Sequence, residues 1–363
     1  MKLKSLLIAT LACGIALTAQ AQTTQRLTAS KVNEYGLIYS LPLTEVDITI
    51  ETEHTVLTPG EFYNYARRNL AINDAITETS TSVRLKSVTF TTRGVADKDN
   101  KWLVQFKAGS TPYMVLTEDG RPLAVNAPEG VEVDAPVLPV AVAAEPTILD
   151  TDAARQAMTQ DMIRSSSLSK RAELAAQRIF ELRDMRSDLL SGQADNPPAD
   201  GAAMQLVLQN LADQEAALTA MFAGTRSTWT DVKTITIRPD SAGISDEIIA
   251  RISPYDGIID ADNLAGAPLT LSVEVIERGT LPVNEKGEVK KFPKGGVAYT
   301  IPGKARISIS YEGSLIAAAD VDLAQLGVTF GIDPSLFSDK KAPSKMLFDP
   351  ITGSLLLIGP ADL

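Results

Sequence analysis

The 363 residues include one histidine and one cysteine, and that scarcity limits the available chemistry more than any motif extends it. His54 lies in Thr52-Glu53-His54-Thr55, the continuation of an alternating strand. A Ser–His–Asp triad would have to use it, yet no GxSxG turn supplies the serine, so His54 reads as a solvent-facing strand residue. Zinc sites built on two or more His or Cys ligands, and cysteine nucleophiles, are excluded once Cys13 leaves with a signal peptide. Gly296 and Gly303-Lys304 have the outline of a phosphate loop, but six residues separate the glycines where four are needed, and Ala305 replaces the Ser/Thr. Asp97-Lys98-Asp99-Asn100 and Asp260-Ala261-Asp262-Asn263 lack the glycine and distal glutamate of a calcium loop and read as Asx turns.

Carboxylate pairs are different, because they have no sequence signature. With 45 acids, two could stand at glycosidase spacing in space. Against that, only 5% of residues are aromatic and Trp102 and Trp229 are the sole tryptophans, where sugar sites commonly use aromatic platforms. No catalytic, cofactor-binding or metal-ligating residue is therefore singled out, and no cofactor is expected.

The elements that would position any site fall into clear stretches. Residues 1–21 read as a secretory signal: Lys2 and Lys4, an apolar run from Leu6 to Leu17, then Ala19-Gln20-Ala21, with cleavage between Ala21 and Gln22. The rival reading lipidates Cys13, but the apolar run continues past it. Residues 22–126 are β-rich, with alternation at Val46–Ile50 and Val83–Phe90, a turn at Ala96–Asn100, and a hairpin turn at Glu118-Asp119-Gly120-Arg121. Thr58-Pro59-Gly60-Glu61 has the form of a capping box opening a helix whose face holds Phe62, Tyr65, Ala66, Asn69 and Leu70. Of Tyr63 and Tyr65, two apart, only one can share the buried face.

Residues 127–150 form an acidic linker with four prolines. Residues 151–224 carry two runs at three- and four-residue steps: Leu168 to Leu189, and Met204 to Phe222. The breaker Gly192–Gly201 separates them, with Asp200 placed to cap the second. Two helices of matched length and a short loop predict an antiparallel hairpin. Residues 225–363 return to short strands between turns, at Val232–Ile237, Leu269–Ile276, Ala305–Ile309, Leu315–Val321 and Leu355–Ile358. The fold expected is α+β, mainly β: two β-rich, sandwich-like domains joined by a long helical hairpin.

Charge narrows the partners. Removing Lys2 and Lys4 with the signal turns the net charge from −11 to −13, and no region is a basic footprint for nucleic acid. Lys286, Lys290, Lys291 and Lys294 alternate with acids and read as a solubilising turn region. No segment after the signal is long and apolar enough to span a membrane.

The stretches Tyr39-Ser40-Leu41-Pro42, Thr58-Pro59-Gly60-Glu61, Gly192–Gly201 with Gln214-Glu215, Tyr299-Thr300-Ile301-Pro302, Gln325-Leu326-Gly327 and Asp349–Gly353 together resemble an uncharacterised family of exported Bacteroidota proteins, known only as a domain of unknown function. The resemblance implies export and this full-length architecture, and it carries across no functional residue. The expectation is a non-catalytic exported protein, periplasmic or secreted (or lipid-anchored at Cys13), acting as a binding, adaptor or assembly module. An envelope protein docking on the hairpin is the expected partner. A carboxylate-dependent hydrolase of a glycan or envelope polymer is the alternative.

Overall fold

The structure is a computed structural model and describes residues 23–26, 36–105, 113–131, 136–195, 197–198, 201–336 and 343–361. Cys13, the cleavage point at Ala21 and Gln22, and Asp200 lie outside the described residues. The protein is mainly β, with three antiparallel sheets.

The long alternating runs make the two longest strands, β2 (Leu37–Thr58) and β3 (Ser80–Gln105), paired antiparallel. Because strand side chains alternate in direction, Val46, Ile48 and Ile50 share one fully buried face. Glu45, Asp47, Thr49 and Glu51 occupy the other face. β1 (Thr23–Arg26) adds to β3, and β6 (Thr225–Ile237) adds to β2, in the order β1-β3-β2-β6.

A second sheet, ordered β11-β10-β9-β7-β8, contains β7 (Ile244–Ser253), β8 (Gly257–Ile259), β9 (Ala267–Glu277), β10 (Val297–Tyr311) and β11 (Ser314–Ile332). Its Leu269, Leu271, Ile307 and Ile309 pack with Val46, Ile48 and Ile50 as one core. A small third sheet, β13-β12-β5-β4, joins β4 (Met114–Leu116) and β5 (Pro122–Val125) to β12 (Ser344–Phe348) and β13 (Leu355–Pro360).

The β-rich stretches 22–126 and 225–363 thus both supply strands to two of the three sheets and residues to a common core. The helices explain how. α4 (Leu168–Ser191) and α5 (Ala202–Ala223) form the expected antiparallel hairpin, preceded by α2 (Asp152–Ala157) and α3 (Gln160–Arg164). Their matched length returns the chain to the place it left, so Thr225 opens β6 opposite Thr58, the last residue of β2. The linker runs beside this sheet, and Val142 bridges Thr230 on the β6 edge.

Two local expectations differ. Thr58–Glu61 forms no capping box: a 3-10 turn at Tyr63–Tyr65 and a five-residue α1 (Ala66–Leu70) follow, without a side-chain cap. The Phe62 N–H that would begin the helix donates instead to the Met221 carbonyl, at 2.7 Å. Ala96–Asn100 is not a turn between strands but an irregularity inside β3, where the register with β2 shifts between Ser40 and Pro42. β7 escapes the alternation pattern because its register with β9 shifts twice and Asp246 takes a positive φ of 46°.

Candidate docking surface

Most of the motif stretches converge on one buried junction of the three sheets. The Tyr39 hydroxyl accepts from the Ala298 N–H at 2.7 Å and faces the Ala298 carbonyl at 3.2 Å, so Tyr39-Ser40-Leu41-Pro42 meets the strand carrying Tyr299-Thr300-Ile301-Pro302. Burial holds the Tyr39 phenol far above its ordinary pKa. Gln325 grips Thr44 from both sides, accepting from its N–H at 3.1 Å and donating to its carbonyl at 2.9 Å, and also donates to the Pro239 carbonyl at 2.9 Å. Asp349 closes its turn on the Ile351 N–H and the Thr352 hydroxyl. Gly353 follows with φ +72°, where a Cβ would stand 2.6 Å from Pro42 Cδ. Tyr39, Leu41, Met346 and Phe348 fill the core beneath. Buried groups with satisfied partners hold a fold together and offer no open valence to a ligand.

Thr58-Pro59-Gly60-Glu61 does a related job at the base of the hairpin. A Cβ on Gly60 would collide with the carbonyls of Ala220 and Met221, so only glycine lets the β2 end lie against the end of α5. Phe62 and Phe222 pack with ring centroids 5.3 Å apart, Arg171 pairs with Glu61 at 2.6 Å, and Arg68 pairs with Glu173 at 3.6 Å. Ala172, Ala175, Ile179 and Leu182 of α4 and Leu218 and Phe222 of α5 build the core here. Tyr63 and Tyr65 are both half-buried.

That core ends abruptly. Glu215, its side chain 14% exposed, takes Arg183 at 2.6 Å and Arg186 at 2.7 Å, closing the helix pair just beyond Leu182. Among the described residues from 183 to 216 none is buried. The outer part of α4, nine residues from Arg183 to Ser191, extends about 14 Å at 1.5 Å per residue. It carries Leu190, 69% exposed, and the facing part of α5 carries Leu206, 72% exposed. The twelve residues from Gly201 to Ala212 contain no charged side chain. Ala202, Gln205, Leu206, Leu208 and Gln209 line a shallow depression on this surface. A helix whose exposed turns are this apolar is unusual where water is the only neighbour.

The other candidates for chemistry resolve into structural roles. His54 is half-buried, not solvent-facing: it stacks on Trp229 at 5.0 Å and 12°, with Gly257 closing over the ring. The nearby Ser253 hydroxyl donates to Asp256 at 3.1 Å, whereas His54 Nε2 lies 3.5 Å from the Thr52 hydroxyl. That is not the chain of contacts a triad requires. Asp97 accepts from the Asp99 N–H at 3.0 Å, an Asx turn, and Asp260 pairs with Lys233 at 3.3 Å. The segment with Lys286, Lys290 and Lys291 is anchored by Phe292, stacked on Trp102 at 5.5 Å. Among the described residues no group of three or more His, Cys, Asp or Glu side chains is placed to hold a metal ion, and no helix is long and apolar enough to cross a membrane.

Acids cluster on the other face of β2, away from Val46, Ile48 and Ile50, but basic partners hold them. Arg93 and Arg238 each reach Glu45 at 2.5 Å, and Arg93 reaches Asp47 at 2.7 Å. Lys86, with Ser87, holds Glu51 below the usual carboxylate range, and Arg84 does the same for Glu53. For Asp119, burial pulls upward but bonds from Thr117, Arg121 and the Ala96 N–H outweigh it, and the net direction is down. A general acid at neutral pH needs the opposite shift.

Sequence reasoning marked the hairpin but not its bare outer half, although the uncharged run 201–212 was the available signal. No curated protein and no solved structure matches the chain. The family model described as a domain of unknown function, DUF4831, matches residues 35–356, spanning both the junction and the hairpin, and the chain belongs to that family.

Proposed function

We propose that the protein is a non-catalytic module of the cell envelope, in which the β-rich halves on either side of the hairpin form a body and the hairpin serves as a docking arm. The observation that carries this reading is the outer half of the arm, where no described residue from 183 to 216 is buried and Leu190 and Leu206 are exposed. An apolar surface held away from the body by a helix pair is suited to contact and has no catalytic group on it. Export rests on Lys2, Lys4, the apolar run to Leu17 and Ala19-Gln20-Ala21, and protein recovered from its host should begin at Gln22.

The test is crosslinking and affinity capture from intact envelope, comparing the natural protein with a Leu190→Glu/Leu206→Glu variant whose melting temperature is unchanged. Loss of the captured species in the variant supports the arm. An identical set of captured species with both proteins removes it.

A further inference from the structure

We propose that linker residues 137–144 are a strap that closes onto the free edge of β6 as a further antiparallel strand, pinned in this structure at a single pair. The strap is separate from the outer hairpin and stands whatever the arm contacts.

The pin is a complete strand pair. The Val142 N–H donates to the Thr230 carbonyl at 3.1 Å, and the Thr230 N–H donates to the Val142 carbonyl at 3.0 Å. The Val142 N–H also reaches the Thr230 hydroxyl at 3.1 Å. Two residues that exchange both bonds set the register of an antiparallel ladder, and every second residue then turns its backbone groups the same way. With Val142 opposite Thr230, the next pairs are Ala144 with Thr228, Val140 with Val232, and Leu138 with Thr234. β6 ends its sheet, with β2 on its other side, so this edge is the one the strap can take.

The prolines fit that register. Pro136 and Pro146 fall opposite Thr236 and Arg226, where the ladder requires an N–H, so they bound the strap at both ends. Pro139 falls opposite Lys233, where its missing N–H would point away from β6 and blunt the new edge. Leu138, Val140, Val142 and Ala144, the four residues that must donate, all carry the N–H to do so.

In the open state Val137 is fully exposed and Val140 largely so. Closed, Val137 comes beside Ile235, which packs against the core of Val46, Ile48 and Ile50, and Val140 comes beside Val232. The strap has room to move: a groove of about 610 Å³ opens beyond the pin, with Ala143, Glu145 and Thr147 on one wall and Arg226 and Thr228 on the other. One contact opposes closure. The Val232 N–H, which Val140 needs, is taken by the Asp231 carboxylate at 2.9 Å, so Asp231 latches the strap open. Closing gains hydrogen bonds and apolar burial but loses the linker's backbone freedom, and a balance of that kind is tipped by one latch. A closed strap also removes an exposed strand edge, the template on which another chain would pair.

The test is residue-resolved amide exchange on the full chain and on Asp231→Ala. After correction for intrinsic rates, Leu138, Val140 and Ala144 should exchange about tenfold more slowly than Val137, Ala141 and Ala143. Protection at Val140 and Val232 should rise severalfold in Asp231→Ala. Absence of the alternation from both proteins overturns the strap, and equal protection in the two overturns the latch. The register has its own check in a Cys13→Ser background. Val140→Cys/Val232→Cys should form an intrachain disulfide about tenfold faster than Val140→Cys/Thr236→Cys, because only facing residues come within bridging distance. Equal rates overturn the register.

Discussion

The junction of the sheets and the outer hairpin treat their side chains in opposite ways. At the junction, Tyr39, Gln325 and Thr44 spend every polar atom on one another or on backbone, over a core containing Phe348. On the outer hairpin, Leu190 and Leu206 face water, and Glu215 and its two arginines pair across the helices. The first arrangement contributes stability and leaves nothing to bind. The second contributes little stability and leaves a surface. Resemblance to a family therefore marks positions that build the fold at least as readily as positions that meet a partner, and Tyr39 and Gln325 are of the first kind.

Matched truncations give the sharpest way to break this contrast. Phe348→Ala should lower unfolding free energy by about 3–5 kcal/mol, because Phe348 is fully buried. Leu206→Ala should stay within about 0.5 kcal/mol. Equal denaturant midpoints for the two variants would mean that the outer hairpin is packed and the contrast is false. Next in size, Gln325→Ala strips Thr44 and Pro239 of their partners and should cost about 1–3 kcal/mol in the same assay.

Two titrations sharpen it further. The buried Tyr39 phenol keeps its proton at pH values where the unfolded chain, titrating near 10.0, releases it. Above about pH 10 the unfolded state binds fewer protons, so stability falls as pH rises. Tyr39→Phe should flatten that alkaline limb, leaving the part due to Tyr299 and Tyr311, which burial also raises. A limb of unchanged slope would contradict the burial of Tyr39. In acid the sign reverses: Glu51, held down by Lys86, contributes stability above its unfolded value of 4.5 that is lost as pH falls through its lower folded value. Glu51→Gln should therefore shallow the acid limb modestly, since Lys86 is exposed and the pair is screened.

The smallest effect belongs to the arm. Glu215→Gln weakens two partly exposed pairs and should cost about 0–1 kcal/mol of stability. Its readout is amide exchange, which should quicken between residues 183 and 216 and stay constant in β2 and β10. Faster exchange spread through the sheets would mean that the arm is coupled to the body.

Much of the fold was legible. The alternation of Val46–Ile50 and Val83–Phe90 gave strands because side-chain direction in a strand is a local property. The spacing of Leu168 to Leu189 and of Met204 to Phe222 gave the two helices for the same reason at a different period. What failed was any feature decided by a distant neighbour. Thr58–Glu61 has the composition of a helix start, but Met221, far along the chain, takes the Phe62 N–H. His54 alternates like a solvent-facing residue, but Trp229 and Gly257 close over it. Tyr39-Ser40-Leu41-Pro42 and Tyr299-Thr300-Ile301-Pro302 lie on opposite sides of the hairpin in sequence, and the Tyr39 hydroxyl on Ala298 ties their strands together.

By itself, then, the sequence determined the elements, the acidic charge and the scarcity of histidine and cysteine, because periodicity and composition are local or additive. Only the tertiary structure decided which strands share a sheet and where the hairpin's core stops. β6 pairs with β2 because a hairpin of helices of similar length brings Thr225 back to Thr58, and Leu206 is exposed because the buried part of the hairpin ends near Leu182 and Ala217. Both outcomes depend on which surfaces meet, and burial is a relation between distant segments that no single segment encodes.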